Sequence, residues 1–389
     1  MTGAAAERIE TDGGEGVEAR AVRPPRVLIL TTEIGEGHDL PARQLAGAIL
    51  EHSPGAEVEI VDGLDEMGTI LSAILKDNSR AVFTLPPWMF DLQHWFAIRF
   101  RPTSSLAQFL SVALGGRGLL RLVRAFRPDV VVSTYPGCTL TLAPLRRRGY
   151  LDVPLVSAIT DLSQLRYWAW PGVDLHLITH PESEQEVRRI AGAGTAVTCV
   201  RGLTSPGFTD PPDPAAGRRA FDLPEGAPVV VVSGGGWGVG DLDSAVHVAL
   251  DAAADLQVVV LCGRNDDLRL TMEAHFGADP RVHVSGFTDR MNELFAAADV
   301  LIHSTAGLTV LEAYIRGCRV VSYGWGIAHI RANNRAFEQH GIARVAGSRG
   351  ELAAALREAL AEPAVDRSAE FAALPSAASA VLAAAGARV

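Results

Sequence analysis

From Arg26 onward, short runs of branched apolar residues recur along the chain, each followed by a loop and then by apolar positions at helical spacing. Residues 27–31 are the first run, and 41–52 place Leu45, Ala46, Ile49 and Leu50 on one helical face. Further strand-like runs lie at 57–61, 130–133, 155–159, 175–178 and 196–200. Runs that are apolar at every position predict strands covered on both faces, and their alternation with helices predicts a mostly parallel α/β sheet.

The pattern restarts in the second half. Runs at 229–232, 256–262, 282–285, 300–303 and 320–323 lead into Gly234-Gly235-Gly236, Gly263-Arg264-Asn265, Gly286-Phe287, Ser304-Thr305-Ala306-Gly307 and Gly324-Trp325-Gly326. Five such junctions in order stack their loops along one carboxyl edge, where open α/β sheets bind ligands. The densest cluster of turn formers, 204–214, separates the two halves. These signals predict a disordered arm over 1–24 and a first Rossmann-like domain over 25–205. A linker over 206–217, a second such domain over 218–364 and a helical tail over 365–389 complete the chain.

Composition narrows the function classes. A length of 389 residues exceeds what one core serves, and 48% apolar residues suffice for two. The chain has no uninterrupted apolar stretch near the roughly 20 residues of a membrane span, and its start lacks the order of a secretory signal, so a cytoplasmic location is expected. Cys138, Cys199, Cys262 and Cys318 are far apart, which predicts buried free thiols and no metal site. A formal charge of -10 argues against nucleic acid. Between 76 and 127 the sign reverses, with Lys76, Arg80, Arg99, Arg101, Arg117, Arg121, Arg124 and Arg127 interleaved with Trp88, Phe90, Trp95 and Phe96. Such a segment suits peripheral contact with an anionic membrane surface; the alternative is a core strip with a solvated arginine face.

Two glycine turns carry the candidate chemistry. In Gly234-Gly235-Gly236-Trp237-Gly238, the absence of side chains lets backbone amides approach a diphosphate at a helix start. Residues 304–309 offer a second set of hydroxyls and amides before a helix, with Glu312 placed where a carboxylate reaches ribose hydroxyls. In Gly35-Glu36-Gly37-His38, with Pro41 read as the first helical residue, the imidazole is a candidate general base. Asp161, at the end of the 155–159 run, is placed either to orient His38 or to accept a proton itself.

The ordered set Gly35-x-Gly37-His38, Thr160-Asp161-Leu162, Gly202-Leu203 with Phe208, Gly234-Gly235-Gly236-x-Gly238, Cys262-Gly263-Arg264-Asn265, Gly286-Phe287 and Gly307-Leu308-Thr309-x-x-Glu312-Ala313 resembles a known group. It is that of the monogalactosyldiacylglycerol synthases and diacylglycerol glucosyltransferases, related to the N-acetylglucosaminyltransferase of peptidoglycan precursors. The resemblance runs from about Arg26 to about Ala346. It implies a GT-B fold and inverting, metal- and cofactor-free transfer of a hexose from a nucleotide-diphosphate sugar, usually UDP-linked, to a lipid hydroxyl. It further implies Gly35, Gly37 and His38 on the acceptor side, and Gly234, Gly235, Gly236, Arg264, Thr305, Ala306, Gly307, Leu308 and Thr309 on the donor side. Gly286 and Phe287 then fall at the base, Glu312 at the ribose, Asn333 at the sugar, and His329 where relatives often carry glutamine. The chain departs from the group at Glu36, Thr204 and Ser304-Thr305-Ala306. Three other readings stay open at this level: a transferase for a soluble acceptor, a nucleotide-sugar 2-epimerase, and a non-catalytic nucleotide-sugar-binding protein.

Overall fold

The computed structural model describes residues 23–33, 36–69, 71–73, 101–324 and 328–386. Its first sheet contains β1 (Arg26–Thr31), β2 (Glu57–Asp62), β3 (Val130–Ser133), β4 (Leu155–Ile159), β5 (Leu175–Ile178) and β6 (Ala196–Cys199), ordered β2-β1-β3-β4-β5-β6. The second contains β7 (Val229–Ser233), β8 (Gln257–Leu261), β9 (Val282–Ser285), β10 (Val300–His303), β11 (Arg319–Tyr323) and β12 (Ala343–Ala346), ordered β12-β11-β10-β7-β8-β9. Neighbouring strands pair in parallel throughout. This is the GT-B architecture of two Rossmann-like units facing across a cleft.

The unbroken apolar runs have the cause that the pattern predicts. Val229 and Val231 pack into one core while Val230 and Val232 pack into another on the opposite face. Val27 and Ile29 likewise separate from Leu28 and Leu30 across the first sheet. Burying each such side chain stabilises the fold by about 1.5–3 kcal/mol. β12 is an addition to the predicted strands: Ala-Arg-Val-Ala has one strong β former, and its place at the sheet edge depends on pairing with β11.

The first helix departs from expectation. It spans Glu36–His52, so Glu36, Gly37 and His38 form its first turn and Pro41 lies inside it. Proline fits helical φ and sacrifices one bond, to the carbonyl of Gly37, while anchoring of His38 across the sheet edge holds the first turn.

The chain crosses from the first sheet to the second through Pro206–Thr209 and returns before the helix Ala377–Ala384. That last helix buries Ala377, Ala378, Val381 and Leu382 in one cluster with Val27, Ile29, Leu45 and Ile49 of the first unit. Arg201 and Ser376 pair where the two crossings meet. Arg316, 6% exposed, donates to the carbonyl of Asp210 and the hydroxyl of Ser368, each at 2.7 Å, and to the carbonyl of Gly207. One buried guanidinium thereby holds both crossings. The helix Pro214–Ala220 already belongs to the second unit, since Gly217 lies so close to the backbone of Glu293 that a Cβ would stand 2.1 Å from its carbonyl oxygen.

The helix Arg101–Phe126 contains a 22-residue stretch, Ser105–Phe126, long and apolar enough to cross a membrane by length and composition, although Arg117, Arg121 and Arg124 interrupt its apolar run. One face of its second half is nonetheless core, with Leu119, Val123 and Phe126 buried beside Leu28 and Leu30. Among the cysteines, Cys138, Cys262 and Cys318 are buried free thiols, while Cys199 is half-buried.

Candidate active site

Each sheet has a switch point, where neighbouring strands send their following helices in opposite directions. In the first sheet it lies between β1 and β3, and in the second between β7 and β10. The two constellations expected from the sequence sit at these two points.

At the first, Nδ1 of His38 lies 3.0 Å from the carbonyl oxygen of Thr134, just beyond β3. A carbonyl only accepts, so Nδ1 carries the proton and Nε2 keeps its lone pair. The ring contacts Tyr135 edge-on, with centroids 5.3 Å apart, and lies 5.6 Å from Trp168. Burial lowers its pKa to about 4, against the smaller opposing effect of the Thr134 bond, so the imidazole is a neutral base at pH 7. Asp161 is not its hydrogen-bond partner. The Asp161 carboxylate accepts from the Trp168 indole N–H at 2.9 Å, and burial raises its pKa to about 6 although that bond pulls the other way. Trp168, 1% exposed, therefore touches both candidate bases, and the direct orienting role considered for Asp161 gives way to an indirect link.

At the second switch point, backbone replaces side chains. Gly235 takes φ +68, and a Cβ there would stand 3.1 Å from Cγ2 of Thr305 in the β10 loop. Gly263, at φ +62, sits so close to the neighbouring loop that a Cβ would stand 2.4 Å from the carbonyl oxygen of Gly235. These loops interlock only without side chains. The Gly236 carbonyl accepts the amide of Arg264 at 2.8 Å, and the Gly235 amide donates to the Ser233 hydroxyl at 3.2 Å. Gly307, at φ +89, caps the helix Leu308–Ile315 without a side-chain hydrogen bond. That helix start can therefore receive an anion.

Between the two units lies a cavity of about 360 Å³, within the roughly 300–1,000 Å³ usual for small-molecule sites. Gly235, Gly236, Arg264, Gly286, Phe287, Thr309 and Glu312, which the resemblance assigns to the donor side, come together in its lining. The Arg264 guanidinium stacks on the half-exposed ring of Phe287 at 4.1 Å, making a flat platform at one end. Glu312, 4% exposed, has its pKa raised by burial to about 8. Gly234, Thr305, Ala306, Gly307 and Leu308 shape the loops behind this wall rather than lining it; Leu308 is core.

Asn333 stands outside the cavity lining. It is fully buried, and its carboxamide oxygen accepts the amides of Leu162 at 3.0 Å and Ser163 at 2.9 Å from the opposite unit. His329 lies in the first turn of the helix Ala328–Gln339. Gly35, Trp88, Phe90, Trp95, Phe96 and Arg99 lie outside the described residues, and Arg101 is the first residue of its helix.

Several lining residues went unforeseen, three of them on one helix. Leu40, Arg43 and Gln44 reach the cavity from the helix that carries His38. Their i, i+3, i+4 spacing is one helical face and is a signal in the sequence, but reading 35–40 as a loop conceals it. Arg43 also pairs with Asp39 one turn earlier.

Comparison with known proteins bears on both units. Residues 38–200 match the family model for monogalactosyldiacylglycerol synthase, and 229–362 the model for glycosyl transferases group 1. The chloroplastic monogalactosyldiacylglycerol synthase 1 of Arabidopsis thaliana is 28% identical over 343 residues, covering 82% of this chain and 61% of that protein. The processive diacylglycerol beta-glucosyltransferase of Bacillus subtilis is 23% identical over 340 residues, covering 87% of each. This chain thus spans less than two thirds of the plant relative's length and most of the bacterial one's. Among solved structures, Acinetobacter baumannii MurG superposes with TM-score 0.53 at 16% identity, covering 92% of this chain and 99% of that one. The spinosyn rhamnosyltransferase SpnG with spinosyn aglycone gives 0.61 at 15% identity, with the same coverage.

Proposed function

We propose that this homologue of the monogalactosyldiacylglycerol synthases and diacylglycerol glucosyltransferases moves a hexose from a UDP-sugar to a hydroxyl of a lipid acceptor such as diacylglycerol. One observation carries the reading: the helix Glu36–His52 holds a neutral histidine in its first turn and lines the donor cavity with Leu40, Arg43 and Gln44 in its next two turns. Base and donor are thereby joined on one rigid element.

The chemistry follows from the residues. Phe287 and Arg264 offer a stacking platform for the uracil, Glu312 accepts from the ribose hydroxyls, and the Gly235–Gly236 loop with the start of the helix Leu308–Ile315 receives the diphosphate. Nε2 of His38 takes the acceptor proton as that oxygen bonds to the anomeric carbon. The bond from that carbon to the phosphate oxygen breaks on the opposite face, UDP leaves with the electron pair, and the configuration inverts. Fixed amides, a helix N-terminus and Arg43 and Arg264 supply the charge neutralisation, so turnover is expected to survive chelation with EDTA.

A lipid acceptor is supported by a surface beside the site. The helix Arg101–Phe126 leaves Leu106, Phe109, Leu110 and Leu114 exposed, Phe109 to 66%, and Arg117, Arg121 and Arg124 exposed on later turns. Ser111 bonds Thr141 at 2.6 Å, and Gly116 lies against Leu145, so this helix runs level and parallel with Pro136–Arg147. Its apolar turns therefore lie at the sheet edge that carries Tyr135 and His38. We place the protein peripherally on an anionic membrane through this face.

The test is UDP release from a panel of UDP-sugars, with and without anionic vesicles containing diacylglycerol. Lipid-dependent release with one sugar is the expected result, and release that ignores lipid would overturn the lipid acceptor. The double variant Phe109→Asp with Leu110→Asp should lose vesicle binding and keep UDP binding.

A further inference from the structure

The turn that follows β4 carries Asp161 but is not held by its own unit alone. Leu162, 4% exposed, belongs to a hydrophobic cluster of the second unit that contains Leu308, Leu311, Phe208 and Phe337. Above it, the fully buried Asn333 gathers the amides of Leu162 and Ser163 on its carboxamide oxygen. One helical turn later on the same face, Phe337 meets the ring of His180, just beyond β5, with centroids 5.6 Å apart. The helix Ala328–Gln339 thus spans the carboxyl ends of β4 and β5, and its polar grip falls on the two residues after Asp161.

We propose that Asn333 is a positioning residue for sugar transfer, an interdomain latch whose oxygen fixes the Asp161 turn against the donor-binding unit. The consequence passes through direct contacts. Asp161 accepts from Trp168, and Trp168 packs against His38, so the turn sets where the imidazole stands relative to the cavity. Leu162 ties the same turn to the cluster containing Leu308 and Leu311, on the helix that presents Thr309 and Glu312. A carboxamide oxygen suits the task because its two lone pairs accept two converging N–H groups at once. The role rests on the transferase reading above, and differs from a sugar contact, which would work through the amide nitrogen and the cavity.

Asn333→Ala and Asn333→Asp, the latter keeping acceptor oxygens, separate the possibilities. In Asn333→Ala, amide hydrogen exchange at Leu162 and Ser163 should quicken at least about tenfold, and kcat should fall about 10²-fold, the scale of an ångström-level misplacement. UDP affinity should stay within about twofold, because Asn333 does not line the cavity. In Asn333→Asp, exchange should stay slow and kcat should recover to within about fivefold of the parent. Unchanged exchange in the alanine variant would overturn the latch. So would an aspartate variant as slow as the alanine variant with its amides still protected, which would assign Asn333 to the sugar. A parallel loss of melting temperature and UDP affinity would reduce it to a general fold contact. Exchange needs no substrate, so an inactive parent enzyme with Asn333-dependent protection would sink the transferase reading alone.

Discussion

The two switch points are built on the same topology and have opposite chemistry. Between β1 and β3 the edge is closed by side chains: His38, Tyr135, Trp168 and Asp161 crowd together, and burial drives the His38 pKa down and the Asp161 pKa up. Between β7 and β10 the edge is left open by glycines, and the groups presented are mostly main-chain amides, with one buried carboxylate at the back. A parallel sheet supplies a place where loops diverge, and loop composition decides whether that place moves protons or receives anions. The difference also predicts opposite sensitivities. One edge fails when a side chain is removed, and the other when a side chain is added.

The largest effect is expected at the side-chain edge. His38→Ala should lower kcat by about 10²–10⁴-fold, the usual share of a general base, with UDP affinity unchanged by calorimetry. Unaltered turnover would remove His38 from the mechanism. Next comes the glycine edge, where Gly263→Ala adds one methyl group at a left-handed position. Thermal unfolding should show a loss of about 1–2 kcal/mol, and UDP binding should weaken because the Gly235 carbonyl must move away from the new Cβ.

The third test divides the two bases of the first edge. With His38 titrating near 4 and Asp161 near 6, an acidic limb of kcat near 6 means that ionised Asp161 is required, and a limb near 4 means that His38 suffices. Trp168→Phe deletes the N–H that lowers the Asp161 pKa, so a limb set by Asp161 should move to higher pH and one set by His38 should stay. Stability confines the profile to pH 5 and above, where a limb set by Asp161 appears as a fall in kcat and a flat profile is the result expected if His38 suffices. His38, His176, His180 and His303 are all depressed to about 4, so each holds its full share of stability above its unfolded pKa near 6.5. That share is lost as pH falls from 6.5 toward 4, because the unfolded chain takes up protons first.

The smallest expected effect lies at the back of the donor cavity. Free Glu312 titrates near 8 and is mostly protonated at pH 7, whereas a carboxylate accepting two ribose hydroxyls must be ionised. UDP affinity should therefore rise from pH 6 to 8, with proton release visible as a buffer-dependent binding enthalpy. Glu312→Gln should flatten that slope, and a slope that persists in the variant belongs to the diphosphate instead.

Most strands and the glycine loops of the second sheet were legible because their signals are local. A strand covered on both faces must be apolar at every position, as in Val229–Ser233, and loops that interlock as closely as Gly235 and Gly263 must lack Cβ atoms. The start of the first helix was not legible, since glycines and a proline within one turn and a half read as a loop until the contact between His38 and Thr134 secures them. Arg316, which holds both crossings, carried no signal, because its partners are carbonyls of Gly207 and Asp210 and the hydroxyl of Ser368. Backbone acceptors of this kind leave no trace in residue identity.

By itself the sequence determined the two parallel sheets, the loops at their carboxyl edges, and the residues His38, Asp161, Gly235, Phe287 and Glu312 as candidates for the chemistry. Periodicity and glycine requirements act over a few residues and are written along the chain. Only the tertiary structure decided that Trp168 stands between Asp161 and His38, that Arg43 faces the donor loops, and that Asn333 grips the opposite unit. Those relations join positions far apart in the chain, 171 residues in the case of Leu162 and Asn333. They exist because two cores, each stable on local grounds, were brought together by side chains whose partners lie on the other one.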